Sequence, residues 1–146
     1  MDAAMSFDRE DNLSVRLTLF DHDELGGPEF LGMVDLTPSM ILDQTNQGGV
    51  LRLPLKDDMC RKKRVDVSGY IELEIMVGAY HDDRAGVKPE LQALGALDLA
   101  LTVQKADKIA TADANGFSDA FVEVHGKNVL NPKSALLSTD LVSSSV

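Results

Sequence analysis

Two stretches of carboxylates carry the clearest chemistry in this 146-residue chain. The first runs Asp21-His22-Asp23-Glu24-Leu25-Gly26-Gly27-Pro28-Glu29. Asp21 and Asp23 end a run of alternating apolar residues and so project from one face, because strand side chains repeat every second residue. Glu29 returns after a Gly-Gly-Pro turn. The second runs Asp113-Ala114-Asn115-Gly116-Phe117-Ser118-Asp119, two acids around an Asn-Gly turn. Grouped carboxylate oxygens on loops suit Ca²⁺, a hard cation that takes six to eight oxygen ligands. Asp, Asn and Gly are also ordinary turn residues, so the chemistry depends on the fold bringing the two stretches together. An EF-hand does not account for either. With Gly116 at the invariant glycine, Val122 falls where a bidentate Glu is needed; with Gly26 there, Gly32 does.

Other chemistry is poorly served. His22, His81 and His125 are not at metal or triad spacing, and Gly26-Gly27 lacks the lysine and helix of a phosphate loop. Cys60 beside Arg61 has no sign of a partner base and reads as structural. No catalytic residue is assigned, and the chain is expected not to be an enzyme. A net charge of −10 argues against nucleic acid as a partner, since phosphate binding needs a basic surface. Both parts share the excess: residues 1–79 carry 15 acids and 8 bases, residues 80–146 carry 9 and 6. One cysteine excludes an internal disulfide framework. No apolar run approaches the ~20 residues that span a bilayer, and the start, Met-Asp-Ala-Ala-Met-Ser-Phe-Asp, has no signal-peptide pattern. The expected location is the cytoplasm.

The elements that must position the acids are strands. Leu13, Val15, Leu17 and Leu19 alternate with polar residues, as do Leu51, Leu53 and Leu55, then Ile71, Leu73, Ile75 and Val77, then Leu97, Leu99, Leu101 and Val103. Phe30 to Thr37 reads as a strand with Phe30, Val34 and Leu36 on one face, ended by Pro38. Met40 to Gly49 reads as a short helical turn and loop, and Phe121 to Val124 as a short strand. Asn128 to Val146 reads as a frayed strand or a disordered tail. Short strands separated by turns predict an all-β fold, an antiparallel β-sandwich.

With their flanks, both acidic stretches resemble calcium loops of the C2 domain family. Val15 to Asp23, followed by Glu29-Phe30-Leu31-Gly32, is similar to the third loop: a hydrophobic strand, Asp-x-Asp, five residues, an acid, then aromatic-aliphatic-Gly. Leu99 to Val124, with Ala106, Ile109 and Asp113 to Asp119, is similar to the first. The resemblance implies an eight-stranded antiparallel sandwich and a Ca²⁺ site built from Asp21, Asp23, Glu29, Asp113 and Asp119. Glu29 stands where the family usually has Asp, and Ala120-Phe121-Val122 where it usually has Pro-Tyr-Val.

The order is inverted, since the first loop precedes the third in a C2 domain. The expectation is therefore two incomplete sandwiches from a tandem C2 protein of the synaptotagmin or protein kinase C type. Residues 1–79 would be the C-terminal half of one, 80–94 a linker and 95–146 the N-terminal part of the next. A Met before late strands and an end inside the next domain read as truncation. The alternative is one circularly permuted sandwich, which would bring the acids together but need residues 128–146 to replace middle strands.

The resemblance implies Ca²⁺-dependent binding to an anionic phospholipid surface, with a peripheral place on the membrane in trafficking, tethering or signalling. Leu25 and Phe117 at the loop tips are candidates for insertion, and Arg61-Lys62-Lys63-Arg64 for headgroup contact. The competing reading is a calcium-independent β-sandwich that binds protein partners, or a remnant with vestigial acids.

Overall fold

The computed structural model describes residues 2–21, 27–62, 65–79, 96–109, 119–126 and 138–142. Its strands are β1 (Asp2–Phe7), β2 (Val15–Asp21), β3 (Glu29–Leu36), β4 (Leu51–Pro54), β5 (Tyr70–Ala79), β6 (Leu97–Asp107), β7 (Asp119–Gly126) and β8 (Ser138–Val142). One helix, α1 (Pro38–Gln47), joins β3 to β4. The strands form two four-stranded sheets, ordered β1-β6-β5-β4 and β3-β2-β7-β8, with every pairing antiparallel. The all-β antiparallel sandwich is thus the fold.

Alternation explains the layering. Val15, Leu17 and Leu19 on β2, Ile71, Leu73 and Ile75 on β5, and Leu99, Leu101 and Val103 on β6 are all buried in one core. Their polar neighbours face outward, as period-two side chains must. Helix α1 begins with Pro38 in its first turn and with Thr37 as its cap, the Thr37 hydroxyl accepting from the Met40 N–H at 3.3 Å. It ends at Gly48, which takes the positive φ of 71° that closes such helices. Ile41 and Gln44 are its buried residues. At ten residues α1 is longer than the expected turn, and no described helix is long and apolar enough to cross a membrane.

Two strands extend the sequence reading. Strand β1 lies outside the strands expected from the sequence, yet Ala3, Met5 and Phe7 are buried and pair along β6. Strand β8 places residues 138–142 of the tail beside β7. One face assignment changes. Leu19 pairs with Gly32 and Phe20 with Phe30, which leaves Leu31 as an extra residue in β3. This bulge inverts the alternation. Leu31 joins the core with Val34 and Leu36, whereas Phe30 lies on the opposite face.

The strands of the two segments share both sheets. Strand β6 lies between β1 and β5, and β7 lies on β2. Strand β8, residues 138–142, pairs with β7. The expected linker, residues 80–94, lies outside the described residues.

The shared sheets predict one cooperative thermal transition, where two independent half-domains would give two. Leu101→Ala, in the second segment, should cost about 2–5 kcal/mol, as truncations of fully buried leucines do. It should also lower the melting of β2 and β5 equally, read by hydrogen exchange at their amides. A transition in which residues 2–79 melt independently of this substitution would support the two-unit division instead.

Candidate functional site

The site is built by strand ends. Asp21 is the last residue of β2 and follows the inward-facing Val15, Leu17 and Leu19. Asp21 is 2 % exposed, one of two buried polar residues among those described. In the β2–β3 ladder it stands opposite Glu29, the first residue of β3, which is exposed. Directly opposed residues hold their Cβ atoms about 4.5–5.5 Å apart. In the β2–β7 ladder Asp21 stands opposite Ala120, and Asp119 is the next residue. The end of β2 and the starts of β3 and β7 therefore lie together at one end of the sandwich. Period-two sequence reading places Asp21 on an inner face; it cannot place β7 beside it.

Oxygen is the only donor type that Asp21 and Glu29 offer, which fits a hard cation such as Ca²⁺. Among the described residues no three His, Cys, Asp or Glu side chains converge on one point. Asp23 and Asp113, and the tips Leu25 and Phe117, lie outside the described residues. Asp119 is placed by its strand position alone.

The outer face of the same sheet is aromatic at this end. Phe20 stacks on Phe121 with centroids 5.6 Å apart and meets Phe30 edge-on at 6.3 Å. Such pairs add to simple burial through their quadrupoles. Sequence reading missed this cluster because the bulge at Leu31 puts Phe30 there.

Residues 56–62 cross this face as a strap. Lys56 exchanges two backbone hydrogen bonds with Met33, each 2.9 Å. The Asp58 carboxylate sits 3.7 Å from the Arg16 guanidinium and accepts from the Cys60 N–H at 2.9 Å. Arg16 donates through two nitrogens to Asp35, at 2.8 and 3.1 Å. That hydrogen bonding is the main cause that raises its pKa above the ordinary arginine value, and burial opposes it. The Arg61 guanidinium lies 4.2 Å from the centre of the Phe30 ring. Of the basic run, Arg61 is thus half-buried against the sheet beside Glu29, Lys62 is exposed, and Lys63 and Arg64 lie outside the described residues.

Arg61 and Phe30 should be coupled. A double-mutant cycle with Arg61→Ala and Phe30→Leu is expected to give an interaction of about 0.5–1 kcal/mol, the range of partly exposed cation–π pairs. Additive losses in thermal or urea unfolding would mean that the ring does not hold the strap.

The C2 domain family model matches residues 2–53 and 97–143, two segments that together hold most of the sandwich. No curated protein matches the chain. No solved structure matches it either. The matched segments cover β1 to β3 with nearly all of β4, and β6 to β8. The chain belongs to the C2 domain family.

Proposed function

We propose that this chain is a Ca²⁺-dependent phospholipid-binding module, acting peripherally on cytoplasmic membrane surfaces in trafficking, tethering or signalling. Membership of the C2 domain family supports a membrane-binding, calcium-binding or interaction module in general. C2 domains are typically non-catalytic. The observation that carries the finer reading is the ladder at Asp21: Glu29 faces it on one side, and Ala120, next to Asp119, faces it on the other.

Asp21 and Glu29 would hold the ion together with Asp23, Asp113 and Asp119. Bound Ca²⁺ would supply positive charge where the chain is acidic, with coordination positions open to lipid phosphate oxygens. The residues divide the remaining work. Asp21, fixed by strands on both sides, anchors the site, and Glu29 contributes from the opposite strand. Leu25 and Phe117 supply apolar tips for the headgroup region. Lys62, with Lys63 and Arg64, adds attraction to anionic headgroups, which acts only within a Debye length of about 8 Å at physiological salt.

Titrating Ca²⁺ while following heat and melting temperature tests this. Ligand at 100 times its Kd stabilises the folded state by about 2.7 kcal/mol. Asp113→Asn and Asp23→Asn should weaken the response without lowering stability in chelator. Phosphatidylserine vesicles should sediment the wild type with Ca²⁺ and leave it in solution with EDTA. If millimolar Ca²⁺ changes neither heat nor melting, the calcium reading fails and a calcium-independent protein-binding sandwich replaces it.

A further inference from the structure

A sheet edge presents a row of backbone N–H and C=O groups, and stable folds cover it, shorten it or charge it. Three of the four edges of this sandwich are protected in that way. Strand β3 is crossed by the strap, where Lys56 and Met33 exchange two backbone hydrogen bonds. Strand β4 is four residues long and carries Arg52 and Pro54, and proline has no N–H to donate. Strand β8 is five residues long with Asp140 at its centre. Strand β1 is the exception. It is the outer strand of its sheet, and among the described residues its ladder is with β6. Its sequence, Asp2-Ala3-Ala4-Met5-Ser6-Phe7, holds no proline and no basic residue, and its one charge lies at the first position.

The edge is also preformed. Ala3, Met5 and Phe7 are buried in the core, and residues 2–7 keep register with β6 without a bulge. On the outer face the Ser6 hydroxyl donates to the Asp98 carboxylate at 2.6 Å, and the Thr102 hydroxyl donates to the Asp2 carboxylate at 2.9 Å. These bonds tie both ends of β1 to its neighbour. Ala4, between them, is exposed and stands opposite Ala100. A strand added to such an edge meets backbone groups that are already in position, so little order is lost on this side of the pair.

We propose that β1 is a pairing edge whose partner is β1 of a second copy of this chain, added antiparallel about a two-fold axis between the two Ala4 residues. The strand's own sequence selects partner and register. Directly opposed residues of a ladder project to the same face, so a two-fold that keeps both core faces on one side must set some residue opposite its own copy. Centring on Ala4 places Asp2 opposite Ser6 and Ala3 opposite Met5. Each carboxylate then meets a hydroxyl, and the apolar layer continues from one copy into the next. Centring on Met5 brings Asp2 opposite Asp8 at both ends, and like charges directly opposite are destabilising. Centring on Ala3 leaves only Asp2, Ala3 and Ala4 paired. The interface belongs to the sheet that does not hold Asp21 and Glu29, and it does not rest on calcium binding.

Sedimentation velocity of the full chain in EDTA, from micromolar to millimolar protein, tests this. The wild type should move with concentration from the 15.8 kDa chain mass to twice that mass. Its melting temperature should rise with concentration, as mass action requires, and the amides of residues 2–7 should exchange more slowly in the dimer. Ala4→Lys and Ala4→Glu each set like charges opposite one another across the axis and should weaken dimerisation by about tenfold or more. Ala4 is exposed, so both variants should melt as the dilute wild type does. An equal mixture of the two variants should dimerise again, because lysine then faces glutamate. The proposal is overturned if the wild type keeps the single-chain mass at every concentration, if both variants dimerise as the wild type does, if their mixture stays monomeric, or if Arg52→Glu on the β4 edge removes the dimer instead.

Discussion

The insertion of β6 between β1 and β5 is the constraint on which the sandwich depends. Its eleven residues hydrogen-bond on both sides, to Asp2–Phe7 along one edge and to Tyr70–Ala79 along the other. Without β6 the first sheet would be divided into a lone β1 and a two-strand ribbon of β5 and β4. Two-stranded ribbons are marginal in water. Leu99, Leu101 and Val103 would also leave the core, and Leu17, Leu73 and Ile75 would lose the apolar layer around them. Strand β7 does the same for the second sheet, where it lies between β2 and β8. Burial of its inward face and pairing on both edges tie β6 to the core that the first segment's strands build.

The acidic end follows from that pairing. An antiparallel ladder fixes which residues face each other, and a slip of one position would turn Asp21 from the inner to the outer face. The buried leucines of β2 set the register, because a slip would expose all of them. Asp21 is therefore held at the mouth between the sheets by hydrophobic packing further down its own strand, with Glu29 and Ala120 opposite it. A polar position at a strand end is placed here by the apolar positions of the same strand.

The sequence makes some of this legible and hides the rest for physical reasons. Alternation is local, so Val15–Leu19, Ile71–Ile75 and Leu99–Val103 are readable without partners. Strand β1 is not, because Ala3 and Ala4 have little β preference and, among the described residues, its ladder is with residues 97–102, far along the chain. The face of Phe30 depends on a bulge, which appears only when two strands are aligned. Helix α1 carries signals at both ends, Thr37-Pro38 and Gly48-Gly49, yet its apolar stripe is short. The acids of the candidate site were legible by type and spacing, and their resemblance to C2 loops found the family. The pairing partner of each strand was not, and it decides whether the two acidic stretches meet.

Net charge is a poor guide to how such an end meets a membrane. At physiological salt, charges more than about 8 Å away are largely screened, so the −10 of the whole chain acts mainly through what lies near the contact. Near this end the charges are sorted by face. Asp21 and Glu29 face each other in the β2–β3 ladder, and Arg61 and Lys62 belong to the strap on the outer face of the same sheet. Arg61 is restrained there by stacking on the Phe30 ring and not by an ion pair, so its charge stays available to a ligand at the surface.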